Sequence, residues 1–521
     1  MKKSWIVVLV VGLLFVACGR GNDEPESIAE PEIEVGEEAV APPEEAAVVS
    51  VERVLVPHDE LTTMHFLYDI DHMLYVLENN FSLFDVAYWA RGVNIYEIAE
   101  NVRAAILVSP DMDVDDFFIV LRHYFSRMVD LSIGHFNIVT PQHYDAMLRG
   151  QGFESWLFPR DVFGRLSYPH VQGFYEPRRP IPMDDLDEME VWINRVSSLP
   201  DEIIRRELLA FSSLSVYLGQ EIVDENKIPA LNAFLDGDYA TVAQYFMRIS
   251  ELFQTVPNVF TEILEDGRVG YLAVRSFMIY PAPVWEQNKI FDFYEEIRDF
   301  DHLIIDLRVN TGGSSNYFAN LIMGPNISEN LIVEGFGFAS YGTYSAEFLT
   351  TEPRPGFTTF LNPIRTVSVA GSIRNSIDEF LRNHDLPELN MADMERMDYG
   401  FQIQKHINAG RLSRFDNEPV FTGKVWLLTH SRMGSAAQIS AWVARETGFA
   451  TLVGDITGGV YGGYRTMAAL PYSGIVFIMD TLYVTDAHGR PLEAGTIPHY
   501  FNREGLDALG TVLSMITEGL Y

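Results

Sequence analysis

Cysteine is almost missing: Cys18 is the only one in 521 residues. The chain therefore cannot form an internal disulfide or a cysteine-built zinc site. Positive charge is scarce as well. Lys and Arg total 37 against 73 Asp and Glu, a net charge of −36. So acidic a surface repels phosphate backbones and anionic headgroups, which argues against nucleic acid or an anionic bilayer surface as the main partner. Only one stretch is apolar and long enough to enter a bilayer, so a polytopic membrane protein is excluded. No HExxH, Walker loop or EF-hand loop occurs, so the sequence indicates no metal, nucleotide or other cofactor. What is present is ordinary for a folded chain: 47% apolar and 21% charged residues, with length for two to four domains.

The apolar stretch is at the start. Residues 1–18 read MKKSWIVVLVVGLLFVAC, a short basic start, an apolar run, then a small residue before Cys18. That is a secretory signal layout. It resembles a bacterial lipobox, with Phe15 where leucine is more usual. The resemblance implies lipidation of Cys18 and a membrane attachment through an N-terminal lipid on the extracytoplasmic face of the cell envelope. An uncleaved anchor is the alternative, and it gives the same location. Residues 19–52 follow as a tether, with ten acidic residues from Asp23 to Glu45 and four prolines. Self-repelling, Pro-stiffened sequence of this kind does not pack.

The body divides by texture. Residues 53–144 begin with helical periodicity: Leu67, Ile70, Met73, Leu74 and Leu77 recur at threes and fours, and Phe117, Val120, Leu121, Tyr124 and Met128 share a second face behind Asp113. LSIGHFNIVT (131–140) then reads as extended. Residues 145–262 are an intermediate region, Pro- and aromatic-rich and then helical over 201–253. From 263 to 521 strands alternate with helices: VGYLAV, HLIIDLR, KVWLLTH and TLVGD are short apolar runs with turns and helices between them. The pattern predicts a mixed α/β fold, with an N-terminal helical domain before a βαβ core whose chemistry lies at the C-terminal ends of its strands.

Two strand ends stand out. LIIDLRVNTGG (303–313) closes on Gly312 and Gly313, which let backbone amides approach a ligand. A plain structural turn would look the same. In LLTHSRMGSAAQISAWVARE (427–446), Ser435 stands at a strand-to-helix turn with the Ala436 amide behind it. This pairing suits a nucleophile and an oxyanion donor. A serine that merely caps the helix is the competing reading.

In this order VGYLAVRSF (269–277), LIIDLRVNTGG, the Ser435 turn, LVGDITGG (452–459) and LEAGTIP (492–498) resemble the S41 serine peptidases, the family of C-terminal processing proteases and the tricorn core protease. The resemblance covers residues 265–505, with Gly134-His135-Phe136 as a further match. It implies an S41-type fold and peptide-bond hydrolysis, with Ser435 as nucleophile and Gly312 or Gly313 with Ala436 as the oxyanion hole. Gln438 stands where that segment usually has glutamate. In the processing branch a lysine beyond the serine is the base. Here Val460 holds its place, and no lysine follows Lys424. The tricorn-like branch uses a histidine and a glutamate, which implies His135 as base and Glu493 as its orienting carboxylate. Gly134 replaces the serine of that branch's tetrad, and His499 replaces the aspartate that often closes the last motif. His430, five residues before Ser435, is a second candidate base.

The implied protein is a lipid-anchored serine peptidase acting on peptide or protein substrates. Its acidity would favour neutral or basic ones. No ordinary PDZ module is expected in 145–262. The rival is an inactive S41-like envelope lipoprotein that binds a peptide or other ligand. The insertion 325–420, between the Gly-Gly turn and the nucleophile strand, reads as a lid, a gate or an oligomer contact.

Overall fold

A computed structural model of the chain describes residues 56–148, 164–178, 257–340, 342–344, 375–409, 418–460 and 465–520. The signal segment with Cys18, the tether, the helices expected over 201–253 and much of the 325–420 insertion lie outside the described residues.

Four helices open the body: α1 (Thr63–Asn80), α2 (Phe84–Arg91), α3 (Ile95–Val108) and α4 (Val114–Tyr124). On α1 the buried face runs through Phe66, Ile70, Met73 and Leu77, while Leu67 and Leu74 are only partly covered. Asp113 caps α4 through a reciprocal capping box that satisfies its first amides. The extended character expected over 131–140 survives only in β1 (Asn137–Ile138), because Ile133–His135 coils into one turn of 3-10 helix.

The second half carries the sheets. Strands β2 (Val259–Glu265), β3 (Val269–Val274), β4 (His302–Asp306), β8 (Lys424–Thr429), β9 (Thr451–Gly454) and β13 (Tyr500–Phe501) form one six-stranded sheet in the order β13-β9-β8-β4-β3-β2. All its pairings are parallel except β2 with β3. Side chains alternate between two cores, as the pleat requires. Leu303 and Ile305 face α5 (Val284–Glu296) and α6 (Ser435–Glu446), whereas Ile304, Trp426 and Leu428 face the last helix, α7 (Ala508–Glu518). This is the mixed α/β class with a parallel-rich sheet that the strand–turn–helix texture predicts.

Two antiparallel sheets complete the fold. The described part of the insertion is not a loose excursion: β5 (Leu331–Ala339), β6 (Asn375–Ser376) and β7 (Tyr399–Ile407) pair with β12 (Tyr483–Asp486) in the order β12-β5-β7-β6. The third sheet joins β1 to β11 (Val476–Asp480) and β10 (Arg465–Ala469). The N-terminal helices and this small sheet share one apolar core. Asp69 on α1, fully buried, accepts the amides of Tyr472 at 2.9 Å and Ser473 at 2.7 Å, which fixes the helices on the β10–β11 hairpin.

Candidate active site

The register of the small sheet brings the chemistry together. Asn137 lies opposite Ile478 and Ile138 opposite Phe477, antiparallel. His135 lies two residues before β1, at the end of the 3-10 turn, and Asp480 is the last residue of β11. The side chains meet there: His135 Nδ1 is 2.6 Å from Asp480 Oδ2. On its other flank Asp480 faces its β10 partner Arg465, whose Nε is 3.5 Å from Oδ1. The carboxylate has no solvent exposure.

Ser435 reaches the same histidine from the large sheet. The loop after β8 runs from His430 to Gly434, and Gly434 bridges Gly459 in parallel fashion, with the Ser435 amide donating to Gly459 O at 3.2 Å. Gly434 occupies the cap position of α6, so the Ser435 hydroxyl is not the helix cap. Instead Oγ lies 3.3 Å from His135 Nε2. A ring that donates Nδ1–H to Asp480 and carries no proton on Nε2 presents a lone pair to the Ser435 O–H.

The backbone is strained where the side chains converge. Among the described residues, four non-glycine residues have left-handed φ: Ser132 (50°), His135 (48°), Ser435 (50°) and Val460 (61°). Such conformations cost on the order of 1–3 kcal/mol each and persist where the surroundings impose them. Val460, at the place of the processing-branch lysine, lies beside Gly434, 3.7 Å from where a Cβ on that glycine would be. It brings no base to the site.

Glu493 is close, but not where the family resemblance puts it. Its carboxylate is 2% exposed, and Oε1 accepts the amide of Gly134 at 3.1 Å. The residue at His135 Nδ1 is Asp480. Glu493 therefore holds the backbone leading into His135 rather than the ring. Arg91, at the end of α2, secures the same turn by donating to Glu493 O at 2.5 Å and to Gly458 O. Gly134, at the place of the serine of the tricorn-like branch, has no room for a side chain. Its φ is +52°, and a Cβ there would come within 2.5 Å of the Phe81 ring.

Of the two glycines expected at an oxyanion hole, Gly312 packs against Ser435: a Cβ on it would lie 2.8 Å from both Ser435 Cβ and the Ala436 amide nitrogen. Its own amide, however, donates to Asn310 Oδ1 at 2.8 Å, so Gly312 frames the hole without donating into it. Phe277 donates to Gly312 O and accepts from Ser314 N, which turns the Gly313 amide away from β3. The Ala436 amide, second in α6, has no intrahelical acceptor. Gly313 and Ala436 are thus the amides left for an oxyanion.

Gln438 is fully buried beneath this turn. Its Nε2 donates to Leu492 O at 3.2 Å and Thr496 Oγ1 at 2.9 Å, while its Oε1 accepts from Thr457 Oγ1. The amide ties the nucleophile helix to the loops on either side of it. A carboxylate could not donate to both acceptors.

His430 faces elsewhere. It lines a cavity of about 300 Å³ on the α7 side of the strand ends, with Tyr271, Arg275, Asp306, Arg308 and Arg432. Its Nε2 is 3.7 Å from Asp455, and burial holds its pKa below the ordinary value, against the pull of that carboxylate. Among the described residues no cluster of His, Cys, Asp and Glu could hold a metal, and no helix is long and apolar enough to cross a membrane.

Residues 268–501 match the model of peptidase family S41. That span holds Gly312, Gly313, Ser435, Asp480 and Glu493; His135 lies before it. Solved structures similar to this chain include a putative peptidase from Parabacteroides merdae ATCC 43184, at 15% identity over 88% of this chain and 98% of that one, TM-score 0.42. Mature CPAF is similar at 11% identity over 88% and 96%, TM-score 0.42. The photosystem II D1 C-terminal processing protease is similar at 13% identity over 49% and 52%, TM-score 0.28. The family match supports a serine-type peptidase acting on peptide or protein substrates.

Proposed function

We propose that the chain hydrolyses peptide bonds through an acyl-enzyme formed on Ser435. The observation that carries this reading is the continuous relay Asp480–His135–Ser435, with separations of 2.6 and 3.3 Å. Ser435 Oγ attacks the scissile carbonyl carbon and its proton passes to His135 Nε2. The negative oxygen that forms is met by the amides of Gly313 and Ala436. The C–N bond then breaks, and His135 gives its proton to the departing amine. Water, deprotonated by His135, attacks the ester and releases the acid and the Ser435 hydroxyl. Asp480 fixes the histidine tautomer and stabilises the imidazolium. Glu493 is a positioning residue acting through Gly134.

We place this peptidase outside the cytoplasmic membrane, held by lipid on Cys18. The support is the N-terminal sequence: a basic start, an apolar run and a single cysteine. Metabolic labelling with a radioactive fatty acid checks this: label on the parent and none on Cys18→Ser is the expected result.

The catalytic reading is tested with a fluorophosphonate probe and a peptide-library hydrolysis assay. The parent should label and hydrolyse, Ser435→Ala should do neither, and His135→Ala should label far more slowly. Labelling that survives in Ser435→Ala, or a folded parent inert in both assays, would sink it.

A further inference from the structure

Strand β7 presents Phe401, Ile403, Lys405 and Ile407 to the core between the two larger sheets. Three of the four are apolar, and the fourth is a lysine only 3% exposed. Burying an ammonium in such a face is costly, and the cost is offset only by the hydrogen bonds and charges around it. Its Nζ donates to Ser315 Oγ at 3.3 Å.

Ser315 is two residues beyond Gly313 and begins the short helix Ser315–Tyr317. The loop is gripped elsewhere as well: Gly312 by Asn310, Ser314 N by Phe277 O, and Tyr317 by the buried carboxylate of Glu286. These anchors come from the loop itself (Asn310), from the segment after β3 (Phe277) and from α5 (Glu286). Lys405 comes from the insertion, on the opposite side.

We propose that Lys405 is a positioning residue for the oxyanion loop: its ammonium clamps Ser315 and holds the Gly313 amide in line with Ser435. This inference rests on the acyl-enzyme reading above, and it gives the inserted sheet a part in the chemistry. When protonated, the ammonium also places a positive charge in a low-dielectric interior behind the loop, which favours the negative oxygen of the tetrahedral intermediate over the neutral carbonyl of the substrate. The effect therefore falls on kcat rather than on KM.

The experiment uses full-length Lys405→Met, Lys405→Arg and Ser315→Ala. Each is assayed for peptide hydrolysis and for binding of a peptide aldehyde, whose adduct with Ser435 is tetrahedral and anionic, beside a non-reactive product peptide. Lys405→Met should lose on the order of tenfold in kcat and in aldehyde affinity, with KM and product affinity within about twofold. Ser315→Ala should lose in the same direction, and Lys405→Arg should recover part of the loss. A folded Lys405→Met with parental kcat and aldehyde affinity overturns the proposal. If that variant does not fold, Ser315→Ala decides by the same readouts. A parent that neither labels with fluorophosphonate nor hydrolyses peptides refutes the acyl-enzyme reading, and the clamp falls with it. A parent active in both assays, with variants that match it, refutes the clamp alone.

Discussion

His135, two residues before β1, and Asp480, at the end of β11, meet side chain to side chain, with Nδ1 and Oδ2 2.6 Å apart. The β1–β11 pairing positions them, and the docking of the N-terminal helices on the β10–β11 hairpin holds that pairing in place. The histidine of the N-terminal segment thus joins a serine 300 positions later.

The first prediction separates the two carboxylates. Asp480→Asn should lower kcat on the order of 10³–10⁴-fold, because an amide at Nδ1 favours the wrong histidine tautomer. Glu493→Gln keeps an oxygen for the Gly134 amide and should lower kcat less than about tenfold. Steady-state hydrolysis of one peptide by both variants decides. Equal losses would mean that Glu493 acts on the ring itself.

Much of this was legible in the sequence, and what was not has a physical cause. Ser435, the Gly312-Gly313 turn, α6 and the parallel strands follow from local patterns: short apolar runs closed by glycine or small residues. The resemblance of Gly134-His135-Phe136 points to His135, which the structure places beside Ser435. Asp480 was missed because its role is cross-strand. Its only local signal is a lone carboxylate ending the apolar run GIVFIMD. The register that aims it depends on β1, a two-residue strand too short to read. Glu493 meets the Gly134 amide rather than the ring the resemblance implies for a related reason, since spacing cannot distinguish a carboxylate on a ring nitrogen from one on the preceding amide. The strands β5 and β7 inside the insertion have no such signal, because their place in the fold depends on pairing with β12, about 80 residues past β7.

The second prediction concerns the departure at Gly134. Restoring the tetrad serine by Gly134→Ser should not improve catalysis. The new Cβ must displace the Phe81 ring and the Leu83 side chain, at a φ that disfavours any side chain. Overpacking and strain together should destabilise the fold by about 2–4 kcal/mol. Chemical denaturation of parent and variant measures it, and unchanged stability with higher kcat would refute the packing argument.

The third concerns Gln438. Gln438→Glu sets a carboxylate against Leu492 O and Thr496 Oγ1, where the amide now donates. Facing a carbonyl in the interior, it would keep its proton to a higher pH than in the unfolded chain. A raised folded pKa gives stability present at low pH and lost as pH rises. The variant should therefore be close to the parent near pH 4 and about 2–3 kcal/mol less stable at pH 7. Thermal melts across that range test it, and a constant deficit would contradict the linkage.

The fourth follows from the burial of Lys405. Desolvation pushes its pKa down to about 8 from the ordinary 10.5. Between those values the unfolded chain binds the extra proton, so this group's contribution to stability becomes more favourable as pH rises from 8 to 10.5. Below pH 8 the buried ammonium costs about 3 kcal/mol, the shift converted at 1.36 kcal/mol per unit. Lys405→Met removes that cost. It should be more stable than the parent at pH 7 by up to about 3 kcal/mol, with the advantage shrinking towards pH 10.5. Denaturant titrations at pH 7, 9 and 10.5 measure the difference. A variant that gains stability while losing kcat would show the lysine is kept for the oxyanion loop and not for the fold, the exchange expected where a site is held against the preference of its core. A variant less stable than the parent at every pH would instead make Lys405 a structural residue.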